Sequence, residues 1–300
     1  MRILITGSSG FVGKNLLHYL EKDNECNFLS RNQLQLMSPD FVNQNEVIVH
    51  LAGKAHDLKK VSDPEEYYQV NFQLTKNLYD AFLKSDAKKF IFVSSVKAAA
   101  DQVAGILTEE TSANPETHYG KSKLMAEQYI QSQPLPQGKS YYILRPCMIH
   151  GPGNKGNLNL LYQVVKKGIP YPLAGFQNKR SFLSIENLCF IMHELIKRDT
   201  IESGVYQVAD DEALSTSEVV SILAASLNKK ARLWKISPKL IVFFAKVGDR
   251  LHLPLTTERL NKLTESYIVS NAKIKAAINQ ELPLGAKQGL QITAASFSKV

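Results

Sequence analysis

A tyrosine and a lysine on one helix face are the residues best suited to acid–base chemistry. Tyr119 and Lys123 lie four residues apart within residues 116–131, which have a helical pattern, so their side chains project from the same face. A free tyrosine titrates at about pH 10, and an adjacent ammonium group would lower that pKa. Ser95 ends an apolar segment 24 residues earlier and could hold a substrate oxygen beside the phenol. Because this spacing also arises by chance, the pair is strong evidence for catalysis only together with a cofactor site.

Three glycines near the start of the chain predict such a cofactor site. The apolar residues 3–5 lead into Gly7, Gly10 and Gly13, and a helical pattern follows. A strand, a glycine-rich turn and a helix form the arrangement that binds a dinucleotide pyrophosphate at the helix N-terminus. Gly7 allows a sharp turn, Gly10 lets a phosphate approach the backbone, and Gly13 lets the helix pack closely on the sheet. A purely structural turn is the alternative.

The residue after the second strand indicates which nicotinamide cofactor binds. That strand spans residues 26–30 and is followed by Arg31, with no Asp or Glu before Asp40. An acidic side chain here would bind the ribose hydroxyls of NAD, whereas an arginine accommodates the 2′-phosphate of NADP. We therefore predict that NADP(H) is preferred, with NAD(H) as the alternative, and stacking on adenine is the other role open to Arg31. Residues 32–45 are too few for a complete crossover, so we expect a loop there.

Strand and helix patterns alternate along the first two thirds of the chain. Buried strands are predicted at residues 47–51, 90–93, 141–144 and 205–208, and helices at 64–85, 116–131, 187–197 and 215–227. This alternation predicts an α/β fold with a Rossmann-type doubly wound parallel sheet and a smaller, mostly helical C-terminal substrate lobe. Sites in such sheets lie at the carboxyl ends of the strands, where Gly7 and Ser95 both fall.

The same pattern predicts how the chain divides into domains. Residues 1–146 would form the dinucleotide-binding domain, with 183–209 returning to it, and residues 147–182 and 210–300 would form the substrate-binding lobe. We expect the end of the chain to pack around Trp234, Phe243 and Phe244. The amphipathic apolar segment 238–251 is interpreted as lobe core or a dimer contact in preference to a membrane anchor.

Composition and charge describe an ordinary soluble protein. The hydrophobic content is 44% and the formal net charge is +8, with Lys and Arg scattered in pairs at most. This distribution argues against a nucleic-acid partner and permits a phosphate-bearing substrate. An odd number of cysteines, three, favours free thiols in a reducing cytoplasm. The chain starts directly with a strand, no spacing suggests a metal site, and the longest apolar run, residues 240–245, is too short for membrane insertion.

Two polar residues lie inside otherwise apolar elements. His50 falls within the strand at residues 47–51 and is interpreted as a hydrogen-bonded core histidine. Asn71 falls in the middle of the helix at residues 64–85, where an amide is usually solvated. Ala52 and Gly53 follow His50 and would let the backbone approach the cofactor.

At this point the chain resembles the extended short-chain dehydrogenase/reductase family, in its nucleotide-sugar epimerase, dehydratase and reductase branch. The matching segments appear in family order at residues 6–13, 50–53, 71, 93–95, 119–123, 144–146, 151–153 and 180–188. The resemblance implies Ser95, Tyr119 and Lys123 as the catalytic residues. It implies these cofactor contacts: Gly7, Gly10, Phe11, Val12, Gly13, Arg31, Leu51, Ala52, Gly53, Asn71, Tyr119, Lys123 and Pro146.

The substrate implied by the resemblance is a nucleotide-diphosphate sugar. Arg180 would bind the diphosphate, since its planar guanidinium can donate two hydrogen bonds to phosphate oxygens. The glycine- and asparagine-rich loop at residues 151–159 could reach over a sugar, and solvated loop charge is the alternative for its lysine. The predicted substrate contacts are Ser95, Lys97, Tyr119, Lys155, Asn157 and Arg180.

One departure from the family pattern restricts the reaction. Dehydratases of this branch carry an Asp-Glu pair directly after the catalytic hydroxyl residue, and here Val96 and Lys97 occupy those positions. Without that acid the loss of water lacks its proton donor, so dehydration is rejected. Residues 30–34 resemble fucose-synthase-type reductases, whose Cys and His have no counterpart that we can place.

Hydride transfer at a sugar carbon, with C4 favoured, is what remains. The enzyme would be an epimerase or a 4-keto-reductase of a surface-polysaccharide pathway. An inactive NADP(H)-binding sensor or assembly protein on the same scaffold is the alternative, because fold alone does not fix function. A homodimer is compatible with either function.

Overall fold

A parallel sheet of six strands forms the centre of the molecule. The computed structural model describes residues 1–36, 40–54, 63–154, 156–251 and 255–297, and describes Arg31 by its backbone alone. The strands are β1 (Arg2–Thr6), β2 (Glu25–Leu29), β3 (Val47–His50), β4 (Lys89–Val93), β5 (Ile106–Leu107), β6 (Ser140–Pro146), β7 (Met148–His150), β8 (Phe182–Ser184), β9 (Gly204–Val208) and β10 (Ile268–Val269). The sheet order is β2-β1-β3-β4-β6-β9, and two-stranded pairs join β10 to β5 and β7 to β8.

The strand order creates the crevice that such folds use for ligands. All five pairings of the main sheet are parallel, and β3 and the first four residues of β4 are buried. The chain leaves β1 toward β2 on one side and later returns to β3 on the other. Ligands bind outside the carboxyl ends of strands at such a switch point, which here lies between β1 and β3.

Helices cover both faces of this sheet and build the C-terminal region. They are α1 (Phe11–Leu20), α2 (Arg31–Gln35), α3 (Asp40–Asn43), α4 (Pro64–Tyr67), α5 (Leu74–Lys84), α6 (His118–Ser132), α7 (Asn157–Lys166), α8 (Ile185–Lys197), α9 (Thr216–Ala225), α10 (Pro238–Leu251), α11 (Thr257–Thr264), α12 (Ala272–Ile278) and α13 (Ala286–Ser296). Polar side chains cap several N-termini, among them Ser30, Thr117, Ser184 and Ser215, because their oxygens accept hydrogen bonds from otherwise unpaired backbone N–H groups.

The alternation predicted from the sequence is confirmed, with two local differences. Residues 32–45, expected as a loop, contain part of α2 and all of α3, which are too short to be a full crossover helix. The long helix predicted at residues 64–85 is continuous only through a π-helical stretch, Tyr68–Gln73, between α4 and α5. A wider turn of this kind is frequent at functional sites, and this one contains Asn71.

The apolar core lies in two layers around the sheet and in two further clusters. The sheet layers include Ile5, Val49 and Leu188 on one face and Ile48, Phe82 and Phe92 on the other. A separate cluster joins α7, α9 and α13, and a small one joins α10 to α11. Residues of α12 pack with the sheet layer that contains Leu188. The division into two domains at the predicted boundaries stays a prediction.

The expectation of a lobe core around three aromatic residues is wrong. Trp234, Phe243 and Phe244 are exposed, because α10 buries the side that carries Ile241 and Ala245 instead. Among the described residues we find no helix with both the length and the apolar character that a bilayer crossing requires. No cluster of three or more His, Cys, Asp or Glu residues suited to a metal occurs in the described ranges either.

Candidate active site

The glycine turn between β1 and α1 has the geometry that its three glycines predict. Gly7 has a φ of +72°, and a Cβ atom there would lie 2.7 Å from the backbone nitrogen of Ala52. A Cβ atom on Gly13 would lie 2.3 Å from the carbonyl oxygen of Gly7. Both positions therefore require glycine, the first for its conformation and its closeness to the next strand, the second for helix packing.

A cavity of about 810 Å³ opens above this turn. Its lining includes the turn itself, the end of β2 and the loop after β3, with these residues: Gly7, Ser8, Ser9, Gly10, Phe28, Leu29, Ser30, Gln33, Leu34, Leu51, Ala52, Gly53, Val70 and Leu74. A Cβ on Gly10 would meet a single atom within 4 Å, the Gly7 oxygen at 3.3 Å, so a side chain there would extend toward the cavity. No described side chain caps the N-terminus of α1, which leaves its backbone N–H groups to a pyrophosphate.

Asn71 holds the loop after β3 against α6. Its Oδ1 accepts a hydrogen bond from the Lys54 backbone N–H at 2.7 Å, and its Nδ2 donates to the Lys54 carbonyl and to Ser122 Oγ, each at 3.1 Å. Because the side chain is fully buried, the interpretation of Asn71 as a solvated amide is wrong. The contacts make it a clamp on the wall of the cavity, and its predicted contact with the cofactor stays a prediction.

His50 is the neutral core residue that the sequence predicts. Its ring lies between the hydroxyl groups of Thr6, at 2.6 Å, and Thr75, at 2.9 Å, and stacks on Phe92 at 5.6 Å between ring centroids. Burial lowers the pKa of His50 to about 3, so the imidazole stays uncharged near neutral pH. It ties β1, β3 and α5 together and does not face the cavity.

Ser95 and Tyr119 are brought together by close packing of α6. Ser95 caps a 3₁₀ turn, Val96–Ala98, directly after β4, and Tyr119 lies in the first turn of α6, which Thr117 caps. Between them a Cβ atom on Gly120 would lie 2.3 Å from the Lys97 carbonyl oxygen. Only glycine allows that close approach of α6 to the turn after β4, and the Ser95 and Tyr119 hydroxyl groups form a hydrogen bond.

Lys123, one helical turn after Tyr119, reaches the wall of the large cavity. Its Nζ donates a hydrogen bond to the Val93 carbonyl at 3.0 Å and lies 4.7 Å from the centroid of the Phe92 ring. A Cβ atom on Gly53 would lie 3.1 Å from the same nitrogen, so the ammonium group is adjacent to a residue that lines the cavity. Burial lowers the pKa of Lys123 to about 8, and Glu127 opposes that change.

The pKa of Tyr119 differs from the one that the sequence predicts. Burial raises the pKa of the phenol above its usual value, the hydrogen bond with Ser95 opposes the rise, and the charge of Glu127 adds to it. The ammonium group of Lys123 donates to the Val93 carbonyl, and the pKa of the phenol is raised in spite of the nearby lysine. The lowered pKa inferred from the spacing of the two residues is therefore wrong for this state of the site.

A buried ion pair under the site was not found by sequence reasoning. Arg145 on β6 donates hydrogen bonds from Nε to both carboxylate oxygens of Glu127, at 3.1 and 3.0 Å, and its terminal nitrogen completes the pair. The Ser94 hydroxyl donates to the same carboxylate. Glu127 lies four residues after Lys123, a spacing that could have identified it.

Two of the predicted substrate residues line a second, small cavity of about 110 Å³. Lys97 Nζ donates to the Asp101 carbonyl at 2.8 Å and lies 4.8 Å from the centroid of the Tyr267 ring. Burial lowers the pKa of Lys97. The remaining lining residues are Val96, Cys147, Met148, Arg180, Ser181, Glu265 and Tyr267. Of these, Cys147, Glu265 and Tyr267 had no signal in the sequence, because their approach depends on distant segments.

Arg180 is held at this cavity by the end of α11. Its guanidinium donates to the carbonyl oxygens of Lys262 and, at 3.2 Å, Glu265, and the Glu265 carboxylate lies 3.5 Å away. These contacts fix one side of the planar group. A role in binding a diphosphate stays a prediction.

The remaining predicted residues are placed as follows. Phe11 and Val12 begin α1, and Pro146 ends β6 in a buried position. Asn157 is the exposed first residue of α7 and is not brought to either cavity. Lys155 and the side chain of Arg31 lie outside the described part of the chain.

Comparison with known proteins now decides the family. The model of the NAD dependent epimerase/dehydratase family matches residues 3–209, which contain both the glycine turn and the Ser95–Tyr119–Lys123 group. The chain belongs to this family. A UDP-glucose 4-epimerase from Vibrio cholerae is 31% identical over 320 residues, covering 98% of this chain and 95% of that relative.

Other similar proteins agree with the family membership. An N-acetyl-alpha-D-glucosaminyl-diphospho-ditrans,octacis-undecaprenol 4-epimerase from Escherichia coli O157:H7 is 31% identical over 76% of this chain and 73% of its own length. Among solved structures, a UDP-N-acetylglucosamine 4-epimerase from Bacillus cereus has a TM-score of 0.78 at 20% identity, covering 99% of both chains. RMD from Pseudomonas aeruginosa complexed with NADPH has a TM-score of 0.74 at 22% identity, covering 100% of this chain and 99% of that one. At these identities the structures show a shared fold.

Proposed function

We propose that the protein is an NAD(P)-dependent epimerase or 4-keto-reductase that acts at C4 of a nucleotide-diphosphate hexose. The hydrogen bond between Ser95 and Tyr119 is the observation that carries the proposal, together with Lys123, four residues after Tyr119, whose Nζ lies next to Gly53 in the wall of the large cavity. A proton donor and acceptor directly after the carboxyl end of β4 supports hydride transfer with a nicotinamide cofactor, because ligands of such sheets bind at the carboxyl ends of strands.

The chain's own residues would handle the proton at the C4 oxygen. Tyr119 would donate it to a 4-keto oxygen during reduction or remove it from a 4-hydroxyl during oxidation. The raised phenol pKa favours the protonated form and therefore the donor role in the resting enzyme. Ser95 would hold the same oxygen, and Lys123 would hold the cofactor ribose through the wall at Gly53. The bound nicotinamide supplies the hydride.

The cofactor proposed as preferred is NADP(H). The described lining of the large cavity contains no carboxylate, so nothing there repels a 2′-phosphate or binds the ribose hydroxyls as an acidic residue would. The sequence adds Arg31 directly after β2. Replacing Arg31 with Asp should weaken NADPH binding and favour NADH, as measured by quenching of protein fluorescence. An unchanged preference would contradict the assignment of Arg31.

The substrate proposed is a hexose carried on a nucleoside diphosphate. Two similar relatives are named for 4-epimerases of sugars bonded to diphosphates, which supports C4 and a diphosphate carrier. Arg180 at the small cavity provides a guanidinium with one side fixed by protein carbonyls and suits phosphate oxygens.

Dehydration is not part of the proposal. Val96 and Lys97 stand where the acidic pair of dehydratases would be. Among the described residues near the site, Glu127 is committed to Arg145 and Glu265 is paired with Arg180. Asp101, beside Lys97, accepts hydrogen bonds from the backbone N–H groups of Glu116 and Thr117. These contacts favour the ionised forms over the acid that removal of water requires.

The test is turnover on a panel of UDP-, GDP- and dTDP-hexoses and their 4-keto derivatives. An epimerase converts a hexose to its C4 epimer with no net change in nicotinamide absorbance, whereas a reductase consumes NADPH in proportion to product. A 4-keto-6-deoxy product would overturn the exclusion of dehydration. Cofactor binding with no substrate-dependent turnover across the panel would instead favour the inactive sensor.

A further inference from the structure

Helix α10 presents an apolar stripe that no described residue covers. Leu240, Phe243, Phe244, Val247 and Leu251 recur at the spacing of one helix face. Phe243 is 59% exposed and Phe244 55% exposed, and Trp234, just before the helix, is 56% exposed. Large exposed apolar patches of this kind mark interaction sites.

The stripe belongs to a helix that is firmly packed on its other side. Ile241 and Ala245 are buried against Leu260 of α11 and Leu173, which form a small apolar cluster. Asp249 near the end of α10 accepts hydrogen bonds from the backbone N–H of Thr257, at 3.0 Å, and from its hydroxyl, at 2.7 Å. The exposed stripe therefore lies on a helix whose position is fixed by these contacts.

The segment that contains this stripe is strongly basic, and three of its cations, Lys239, Lys246 and Arg250, lie on α10 itself. Residues 229–251 contain seven Lys or Arg residues and one Asp, a net charge of +6, whereas the whole chain has +8. Among the described residues, none of these seven cations forms an ion pair with a carboxylate. Two of them, Lys229 and Arg232, donate hydrogen bonds to carbonyl oxygens. The single acid, Asp249, already caps α11.

We propose that α10 and the basic segment before it dock the protein on the surface of a bilayer containing anionic lipid. An interfacial helix has Trp, Phe and Leu on one face and Lys and Arg beside it, and lies in the plane of the headgroups without crossing the membrane. The basic residues supply electrostatic attraction to anionic headgroups. The exposure of the stripe contradicts the lobe core that the sequence favours, and the dimer contact, the other interpretation from the sequence, is an outcome of the test below.

A second copy of the chain fits this surface less well. A two-fold symmetric interface places the same patch on both subunits, so the cations beside the stripe would face their own copies. Within residues 229–251 the one carboxylate, Asp249, is far too little to neutralise the seven Lys and Arg residues of that segment. An anionic bilayer has the complementary charge.

The docking surface is connected to the small cavity. Helix α10 packs on α11 through Leu260, and the carbonyl oxygens of Lys262 and Glu265, at the end of α11, hold Arg180. Vesicle binding is measured without turnover, so this inference stands apart from the proposed reaction.

Co-sedimentation of the full-length protein with vesicles tests the inference. Vesicles of phosphatidylglycerol and phosphatidylcholine should bind the protein at low salt and release it at high salt, whereas pure phosphatidylcholine should bind little. The variants Phe243→Ser/Phe244→Ser and Lys239→Glu/Lys246→Glu should each weaken binding at least about tenfold. Unchanged circular dichroism and melting temperature would confirm that these exposed substitutions leave the fold intact.

Matched controls make the result specific to this surface. Ile106→Ser/Ile292→Ser replaces exposed apolar residues elsewhere, and Lys84→Glu/Lys88→Glu makes the same charge change elsewhere. Both should bind vesicles like the wild type. The inference is overturned if wild type does not bind anionic vesicles, or if the controls lose as much binding as the α10 variants. It is also overturned if sedimentation velocity without vesicles shows a dimer that Phe243→Ser/Phe244→Ser dissociates, since a second copy would then cover the stripe.

Discussion

Lys123 is a buried cation whose charge should control the pH dependence of the enzyme. Its pKa is lowered to about 8 by burial, so raising the pH through 8 removes its proton in the free enzyme. If the ammonium form holds the cofactor ribose, kcat/KM should fall about tenfold per pH unit above that value. Measurement of kcat/KM from pH 6 to 10 tests this expectation.

A matched variant identifies the residue whose titration causes the fall in kcat/KM above pH 8, called the alkaline limb here. Because Glu127 raises the pKa of Lys123, Glu127→Gln should move the limb to lower pH. The exposed Lys14 is a control, and Lys14→Met should leave the limb in place. If Glu127→Gln leaves the pH at which kcat/KM begins to fall unchanged, the titration belongs to another group.

The ion pair between Glu127 and Arg145 should dominate local stability. Both side chains are almost fully buried, so neutralising Glu127 leaves the Arg145 charge without its partner. Glu127→Gln should lower the free energy of unfolding in urea by about 3–5 kcal/mol. Glu258→Gln, which breaks an exposed pair with Lys262 in α11, should change it by less than about 1 kcal/mol. Equal effects of the two substitutions would contradict this account.

Sequence reasoning at the residue scale identified side chains but not their partners. Ser95, Tyr119 and Lys123 were found because helix spacing and strand ends follow from the local pattern. The raised pKa of Tyr119 and the hydrogen bond from Lys123 to Val93 were missed, since both depend on burial created by packing of α6. The clamp formed by Asn71 was missed for the same reason.

In the turn between β1 and α1, one glycine is needed for helix packing and another for binding of the cofactor, so substitutions at the two positions should have different effects. Gly13→Ala places a methyl group 2.3 Å from the Gly7 carbonyl oxygen, so it should displace α1 and lower the melting temperature. Gly10→Ala meets only the Gly7 oxygen at 3.3 Å, so it should retain the fold while weakening NADPH binding at least about tenfold. Thermal unfolding and fluorescence titration measure the two effects.

A glycine in open space provides the control for both substitutions. A Cβ atom on Gly285 would meet nothing within 4 Å, and its backbone is in the extended region. Gly285→Ala should leave cofactor affinity unchanged and lower stability by no more than about 1 kcal/mol, since Gly285 is the N-cap of α13 and glycine is preferred to alanine at that position. Loss of the fold in Gly10→Ala, rather than loss of affinity, would contradict the role given to that residue.

Helices and strands were predictable where the periodicity of apolar residues was strong. The strands of the main sheet and the helices α6, α8 and α9 lie within a few residues of their predicted positions. The π-helical stretch in the predicted helix at residues 64–85 had no signal, because an inserted residue in a helix does not disturb an apolar pattern enough to be seen. The short helices α2 and α3 fall below the length that periodicity resolves.

At the scale of the whole molecule, cofactor binding should couple to stability. The large cavity is formed by β1, β2, β3 and the helices beside them, so a ligand there binds only the folded protein. NADPH at one hundred times its Kd should raise the free energy of unfolding by about 2.7 kcal/mol. NADH at the same concentration should raise it less, and an equal increase would contradict the proposed preference for NADP(H).

The global arrangement could be predicted only in part. The parallel sheet follows from alternating strands and helices, and the family resemblance extends over nearly the whole chain. The C-terminal region was misjudged, because an amphipathic pattern shows that α10 has an apolar side without showing which side is covered. Ile241 and Ala245 are buried while Phe243 and Phe244 are exposed, and only the packing of α11 decides between them.

The central claim is that Tyr119 moves the proton at the C4 oxygen of the sugar, and deuterium transfer by Tyr119→Phe is its most direct test. Wild type incubated with a nucleotide-linked 4-keto hexose and 4-deuterated NADPH should place deuterium at C4 of the sugar, as detected by mass spectrometry. Tyr119→Phe should bind NADPH and the sugar nucleotide with affinities close to wild type, yet transfer deuterium about 10²–10⁴ times more slowly. Transfer within threefold of the wild-type rate would show that the phenol does not move the proton and would contradict the account.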